Sequence, residues 1–277
     1  MNDKKYAIMH SDDVETYMDP QAEIVFFNRP FDEKLLSKIE VAQLWVPHTR
    51  KLSAMPEMIG KIQNLRSLSY IEREGSSVVS SLKEGDIPVG LEILEIGGTT
   101  RIRWPGVVFS GLKTLYVEQP FTFSASCFPA LASISIYPDR KLVNVKEAVS
   151  LPLTELNLLS VPVGSEIFNE VAVAPLSALG LLGGRSLKTL DGISQLNGIT
   201  SVLLKNMTSL EDIGELATLP QLRKLNIQNC KHIKNIEVLN ELDSLEDLVI
   251  VSCGNLGLSK VESKLSSLNK RIIGATT

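Results

Sequence analysis

The chain has 277 residues, enough for about two ordinary domains or for one elongated repeat domain. It carries 28 Lys and Arg against 32 Asp and Glu, a formal net charge of -4, which disfavours broad nucleic-acid binding because that requires a concentrated basic surface. Its 40 leucines far outnumber its 15 aromatic residues, so the composition predicts a core built from a repeated aliphatic unit.

The cysteines and the apolar runs favour a protein of a reducing compartment. Cys127, Cys230 and Cys253 are too few and too scattered for a disulfide framework or a four-ligand zinc site. The first residues contain no apolar stretch of secretory length, and no later run approaches the roughly 20 apolar residues that span a bilayer. We therefore expect a cytoplasmic protein that has no membrane partner.

A six-residue pattern recurs along most of the chain. It consists of an aliphatic residue, two variable residues, a second aliphatic, one variable residue and a third aliphatic, and it is clearest at 222–227 and 245–250. From Leu153 onwards the copies begin 23 residues apart, whereas earlier spacings range from 19 to 26. The copies begin at Val41, Leu65, Leu91, Leu112, Leu131, Leu153, Leu176, Ile199, Leu222 and Leu245, and a degenerate copy begins at Leu268.

This pattern resembles the leucine-rich repeat, and the stand-alone bacterial proteins with short repeats of about 22–24 residues are the most similar type. The resemblance implies an α/β solenoid with a parallel β-sheet on its concave face and short 3₁₀ or helical turns on its convex face. It places about ten repeats in residues 41–267. Residues 1–40 are then an N-terminal cap, and residues 268–277 are a degenerate C-terminal repeat and tail.

The segments outside the repeated strands have their own patterns. Aliphatic residues spaced by three, such as Leu187, Leu190 and Ile193, predict 3₁₀ turns on the convex side. In the cap, residues 24–27 are predicted to form an edge strand, and residues 31–39 a short helix. The last copy contains Lys270 and Arg271, which we expect to discourage end-to-end stacking.

No residue pattern indicates catalysis, a metal or a cofactor. The three histidines lie far apart, and no nucleophile elbow or phosphate-binding loop is present. The pairs Gly97-Gly98 and Gly183-Gly184 follow strands, where a turn explains them. The resemblance gives Cys230 and Cys253 a structural role, because the ninth repeat position usually holds a buried Asn or Cys that bonds to the turn backbone. We therefore expect no enzyme activity, no cofactor and no small-molecule substrate.

The variable residues of each predicted strand form a grid on the face opposite the core. Aromatic side chains on this face suit a protein interface, and the charges divide into an acidic middle and a smaller basic region further along. Small and apolar residues between them, around Gly180, leave room for a partner side chain. The candidate partner-binding residues are Trp45, Glu95, Tyr116, Glu118, Tyr137, Glu155, Asn157, Leu182, Lys205 and Lys224.

Two tryptophans are left with two interpretations each. Trp45 either contacts a partner or packs under the N-terminal cap, and Trp104 is either a satellite core residue or a second contact. The sequence therefore offers both residues as candidates without deciding their role.

These observations favour a non-enzymatic module that binds a protein. One hypothesis is an inhibitor or immunity protein that neutralises a bacterial toxin, because an acidic face suits a basic toxin domain. The alternative is a regulatory or scaffolding subunit of a cellular enzyme complex. An effector-like enzyme with a catalytic cysteine is disfavoured, because Cys253 lies inside the last well-formed repeat.

Overall fold

The computed structural model describes residues 4–274. The chain divides into two compact units, Met1–Ile136 (unit 1) and Tyr137–Thr277 (unit 2). In each unit, one strand per repeat contributes to a parallel sheet, and short helices or 3₁₀ turns lie between the strands. This arrangement confirms the repeat architecture that the sequence predicts.

Among the described residues, unit 1 contains seven strands and most of an eighth, which ends at the first residue of unit 2. In the sheet β2, β1, β3, β4, β5 and β7 lie side by side and parallel in that order, β8 follows β7, and the short β6 pairs with the distal part of β7. The strands are β1 (Lys5–Met9), β2 (Glu23–Phe26), β3 (Val41–Leu44), β4 (Ser67–Glu72), β5 (Ile93–Gly98), β6 (Ile102–Arg103), β7 (Thr114–Thr122) and β8 (Ser133–Tyr137).

The cap region joins the sheet more fully than the sequence predicts. The predicted edge strand is present as β2, but β1 lies between it and β3. Tyr6, Ala7, Ile8 and Met9 are all buried, so β1 is covered on both faces. A continuous apolar run is typical of such strands, and this run is the signal that the sequence reading missed.

The first repeat is out of register with the prediction by two residues. Val41 pairs with Ser67, whereas the predicted unit placed Val41 level with Leu65. The repeat therefore begins at Ile39, and Ala42 and Leu44 are its inward residues. The sequence is ambiguous here, because both Ile39-x-x-Ala42-x-Leu44 and Val41-x-x-Leu44-x-Val46 fit the pattern.

The helices of unit 1 are short, and a separate aromatic cluster lies behind the sheet. Trp104 is buried, its indole N–H donates to the carbonyl of Val107 at 2.7 Å, and its ring packs at 4.9 Å from that of Phe128. The structure therefore settles Trp104 as a satellite core residue. The helical segments are α1 (Glu33–Leu36), α2 (Glu57–Gly60) and the 3₁₀ turns Ser11–Thr16, Val79–Ser81 and Ala125–Cys127.

Unit 2 is more regular. Each strand pairs in parallel with the next, and equivalent residues of neighbouring repeats are level, as in Ser201 with Lys224 and Lys224 with Asp247. The strands are β9 (Glu155–Val161), β10 (Ala178–Gly184), β11 (Ser201–Lys205), β12 (Lys224–Gln228), β13 (Asp247–Val251) and β14 (Lys270–Ile273). The predicted strand phase is confirmed, since Leu225 and Ile227 are buried while their neighbours face away from the core.

The other layer of unit 2 begins with helices, continues as 3₁₀ turns and ends with a helix. Leu187, Leu190 and Ile193 are buried, which confirms the packing predicted from their spacing of three. No helix among residues 4–274 is long and apolar enough to cross a membrane. The segments are α3 (Val143–Val149), α4 (Ile167–Val171), α5 (Glu262–Ser267) and the 3₁₀ turns Ile193–Gln195, Gly214–Thr218, Ile236–Glu241 and Leu258–Val261.

Candidate functional site

Parallel pairing places equivalent strand residues side by side on the sheet face that points away from the core, here called the outer sheet face. In unit 1 the strand register sets Glu95 beside Tyr116, and Glu118 lies two residues further along the same strand as Tyr116. Residues two apart on a strand share a face, so these three side chains meet. We call Glu95, Tyr116 and Glu118 the acidic–aromatic patch.

A hydrogen bond fixes the centre of this patch. The Tyr116 hydroxyl donates to Glu118 Oε1 at 3.0 Å. Glu118 Oε2 lies over Gly97, where a Cβ atom would come within 3.1 Å of that oxygen. Glu95 and Glu118 are exposed and Tyr116 is half-buried, so the carboxylates stay open to water while the phenol is partly shielded.

The pKa of Tyr116 reflects these surroundings. Burial raises the pKa of this phenol to about 12, and the hydrogen bond to Glu118 and the charges of Glu118 and Glu95 act in the same direction. The hydroxyl therefore stays protonated near neutral pH and remains the donor to Glu118.

Trp45 belongs to a contact with the N-terminal cap. Its ring packs edge-to-face on Tyr17 at 5.4 Å, its indole N–H donates to the Thr16 hydroxyl at 3.2 Å, and the Arg73 guanidinium lies 5.8 Å from the ring centre. Of the two interpretations of Trp45, packing against the cap is the one observed. Because the first register is shifted, Gln43 rather than Trp45 pairs with Ser69.

On unit 2, the predicted gap around Gly180 is already filled. Glu155 Oε1 accepts a hydrogen bond from the Asn157 side-chain amide at 3.0 Å. The other end of that amide lies over Gly180, where a Cβ atom would come within 2.0 Å of Asn157 Oδ1. The Asn157 carboxamide occupies the space above Gly180, and Leu182 Cδ1 would lie 3.0 Å from a Cβ built there, so a partner side chain that enters here must displace Asn157.

The remaining candidates of unit 2 are dispersed. Lys205 and Lys224 are exposed, but Lys224 is level with Ser201, four residues before Lys205 on its strand, so their strand positions differ by about 13 Å. Lys224 also lies beside Asp247, so the basic region is mixed in sign. Tyr137 is 37% exposed at the end of β8.

Sequence reasoning missed Tyr17 and Arg73 as neighbours of Trp45, and it missed that Gly97 lies next to the Glu118 side chain. Tyr17 and Arg73 lie outside the repeat pattern, and no sequence signal connects them with Trp45. The pairs Gly97-Gly98 and Gly183-Gly184 are predicted to follow strands as turns, but they are the last residues of β5 and β10, although Gly98 has a positive φ of 130°. Gly97 also gives Glu118 room, because a Cβ atom at this position would lie 3.1 Å from Oε2 and would shift that carboxylate by a few tenths of an ångström.

The cysteines have the predicted structural role. All three are buried. Cys230 and Cys253 donate to the backbone carbonyls of the last residues of β12 and β13, as in the 3.3 Å contact from Cys230 Sγ to Gln228 O. Burial raises the pKa of the Cys230 thiol to about 11. Within residues 4–274, no cluster of His, Cys, Asp and Glu has the arrangement of a metal site.

Comparisons with known proteins give similarity at the level of the fold. No family model matches the chain, and no curated protein matches it. An internalin from Listeria monocytogenes, InlF, is similar over 92% of this chain and 74% of its own, with a TM-score of 0.52 and 16% identity. A leucine-rich repeat protein from Leptospira interrogans gives a TM-score of 0.43 at 17% identity, over 88% of this chain and 69% of its own.

A third structure, a complex of TLR13 with single-stranded RNA, gives a TM-score of 0.39 at 15% identity, over 79% of this chain and 43% of the other. Together with the strand order and the repeats, the internalin match shows that the chain has the leucine-rich repeat fold. The expectation that nucleic acid is not a partner stays a prediction.

Proposed function

We propose that this protein is a non-enzymatic binding module and that the acidic–aromatic patch of unit 1 is the centre of its protein-binding surface. The observation that carries the proposal is the 3.0 Å hydrogen bond from Tyr116 to Glu118, on a face where both glutamates are exposed. It holds the carboxylate in one position before binding. Such preorganisation reduces the ordering cost of association.

The chemistry of the patch favours a basic partner surface. Two carboxylates flank a phenol ring, and guanidinium groups both pair with carboxylates and stack on aromatic rings. An arginine or lysine of the partner would therefore gain from Glu95, Glu118 and the Tyr116 ring together. Opposite charge also raises the rate of encounter, which is useful to an inhibitor.

Within this proposal the partner is a basic toxin domain and the protein is its inhibitor or immunity protein. The remaining candidates, Tyr137, Glu155, Asn157, Leu182, Lys205 and Lys224, extend the proposal to the outer sheet face of unit 2 as secondary contacts. Trp45 supports unit 1 through the cap and is left out of the contact surface, because its ring and its N–H are already engaged.

The test is capture from a lysate of the source organism, with identification by mass spectrometry and then a binding measurement on the purified partner. The variant E95Q/Y116F/E118Q removes both charges and the hydroxyl. The matched control, E74Q/E84Q, removes two exposed carboxylates of the same unit that lie in turns outside the outer sheet face. We expect the triple variant to lose about 2–5 kcal/mol of binding free energy, as for buried charged contacts, and the control to lose less.

The outcomes separate the candidate roles. A basic toxin-like enzyme that is captured by the native chain and lost with the triple variant supports the inhibitor role, whereas a housekeeping enzyme lost in the same way supports a scaffolding subunit. Unchanged binding of the triple variant, with native circular dichroism, would overturn the patch. Tight binding to single-stranded RNA or DNA, tested in parallel, would overturn the protein-partner proposal.

A further inference from the structure

The sheet has one outermost strand in each unit, and both expose apolar side chains. In unit 2 the last strand is β14, where Ile272 is 44% and Ile273 is 38% exposed. The N–H groups of Lys270 and Gly274 donate to Glu246 O at 3.2 Å and to Ile250 O at 2.9 Å on β13. Because the direction of the N–H groups alternates along a strand, those of Arg271 and Ile273 point to the open edge.

In unit 1 the outermost strand is β2. The Phe27 N–H donates to Met9 O on β1 at 3.0 Å, so by the same alternation the N–H groups of Ile24 and Phe26 point outwards. Ile24 is 40% exposed. No strand among residues 4–274 pairs with this edge or with the outer edge of β14. Such edges are templates for strand addition unless a charge or a bulge blocks them.

Each edge carries one charged residue in a core-facing position, and the two charges have opposite signs. Arg271 is level with the buried Leu248, and Glu23 is level with the buried Tyr6. Inward charges normally block edge pairing. Here the inward charges block only some pairings. Two β14 edges would place two arginines side by side in the core-facing layer, and two β2 edges would place two glutamates there. A β14 edge and a β2 edge instead bring an arginine and a glutamate together.

We propose that the β14 edge of one copy of this chain pairs in parallel with the β2 edge of a second copy. The register that matches core-facing with core-facing residues sets Arg271 level with Glu23 of the second copy, Ile272 with its Ile24 and Ile273 with its Val25. In this register the outward N–H groups of Arg271 and Ile273 meet carbonyls of β2, as in the parallel ladders within each unit.

Several properties of this contact follow from the pairing. It buries exposed isoleucines of both copies and joins Arg271 to Glu23, whose side chain is 47% exposed and already contacts Lys4. The contact is heterologous, so each added copy presents a further β14 or β2 edge and assembly continues beyond a dimer, into either a filament or a closed ring. On this proposal, the expectation that Lys270 and Arg271 discourage end-to-end stacking applies only between like edges.

Sedimentation velocity over a concentration series tests the proposal with charge-reversal variants. The variants are R271E, E23R and the double exchange E23R/R271E. The control K270E changes the net charge as much as R271E does, but Lys270 lies on the outer sheet face. Circular dichroism of each variant verifies the fold. The double exchange contains both substitutions but restores the charge pair, so it separates the loss of the ion pair from a loss of folding.

We expect the mass of the native chain to rise with concentration beyond that of a dimer, and less steeply at high salt because the ion pair is screened. R271E and E23R each remain monomeric, while the double exchange and K270E associate like the native chain. A native chain that is monomeric throughout would overturn the proposal. An association that stops at a dimer, is lost in R271E and persists in E23R would overturn it in favour of β14 self-pairing.

Discussion

Both units stack parallel strands on one another, but with different repeat lengths. In unit 2 successive strands are offset by 23 residues, as in Ser201 with Lys224, so equivalent side chains stack on one another. In unit 1 the offsets are unequal, since Val41 pairs with Ser67 26 residues on, whereas Ile93 pairs with Thr114 21 residues on. Equal repeats reuse one contact many times, whereas unequal repeats need contacts that occur once.

The eighth repeat position separates the last repeats of unit 2 from the earlier ones, because β9 and β10 of unit 2 continue through it, as β4 and β5 of unit 1 do. In unit 2 the strands β11, β12 and β13 end before it, and the residue there has a left-handed backbone, as Asn206 does with φ 55° and Asn229 with φ 52°. The Asn229 side-chain amide donates to Asn206 Oδ1 at 2.8 Å, so the turn is linked from repeat to repeat. In unit 1 the strand β4 continues through this position, and Glu72 points into the core.

The largest expected effect in this comparison comes from a charge in the uniform core of unit 2. Leu225 is 1% exposed, and in Leu225→Asp its carboxylate would have no partner, so we expect the free energy of unfolding to fall by at least about 4 kcal/mol. Because each repeat is stabilised by its neighbours, the loss spreads to adjacent repeats. Chemical denaturation followed by circular dichroism measures it.

The matched control is Asn226→Asp, one residue along β12 on the outer sheet face, where an aspartate can still accept the hydrogen bond from Gln228. We expect the control to remain near the stability of the native chain. Equal denaturation midpoints for Leu225→Asp and the native chain would show that the assigned strand register of unit 2 is incorrect.

The second effect concerns a contact that unit 1 makes once. Phe128 is fully buried, its ring centre lies 4.9 Å from that of Trp104, and it also contacts Phe123 at 5.8 Å. Phe128→Ala leaves a cavity in this cluster, and we expect a loss of about 3–5 kcal/mol. Trp104 reports the change by fluorescence in a Trp45→Phe background, because the chain has only two tryptophans.

The loss of stability should be small when an aromatic side chain outside the cluster is removed. Tyr137→Ala is the control, because Tyr137 is exposed on β8. If Phe128→Ala and Tyr137→Ala destabilised the chain equally, the aromatic cluster would not be the core element that its burial indicates.

Sequence reasoning succeeds where one residue pattern has one structural solution. The burial of Leu225 and Ile227 follows from the repeat alone, because a one-residue slip would expose every aliphatic side chain. It fails at Val41, where two overlapping copies of the pattern compete and only the pairing with Ser67 decides between them. It also leaves the surroundings of Gly180 incomplete, since no local pattern states that Asn157 of the preceding repeat lies above the glycine.

The same limit applies to the candidate site. The strand phase is sufficient to place Glu95, Tyr116 and Glu118 on the outer sheet face. The hydrogen bond from Tyr116 to Glu118 depends on side-chain conformation, which a repeat pattern does not encode. Trp45 is similar, because its contacts come from Tyr17 and Thr16 of the cap, outside the repeats.

A third, smaller effect tests the left-handed turns of unit 2. Asn229 has a φ of 52°, a conformation that costs a residue with an ordinary side chain about 1–2 kcal/mol. Asn229→Ala should lose about that amount together with the hydrogen bond to Asn206, whereas Asn229→Gly should lose less because glycine adopts positive φ freely. A thermal midpoint for the glycine variant below that of the alanine variant would contradict this explanation.

Glu72 is a buried carboxyl of unit 1, and the pH dependence of the free energy of unfolding measures its contribution to stability. Burial raises the pKa of this carboxyl, although the backbone N–H groups of Val78 and Val79 donate to it at 3.0 and 3.3 Å and oppose the shift. A raised pKa contributes stability that is complete below the ordinary pKa of glutamate and is lost as the pH rises through the raised value. The native chain should therefore lose stability relative to Glu72→Gln as the pH rises from acidic to neutral.

The opposite dependence of stability on pH is expected for Glu92, a surface glutamate of the same unit. Lys113 lies 2.8 Å from Glu92 and lowers the pKa of that carboxyl, so its contribution is present above the ordinary pKa and is lost as the pH falls. Relative to Glu92→Gln, the native chain should gain stability over the same pH rise, by a small amount because the pair is exposed. Denaturation curves at several pH values measure both differences in stability. If the two differences changed in the same direction with pH, the pKa of Glu72 would not be raised by burial.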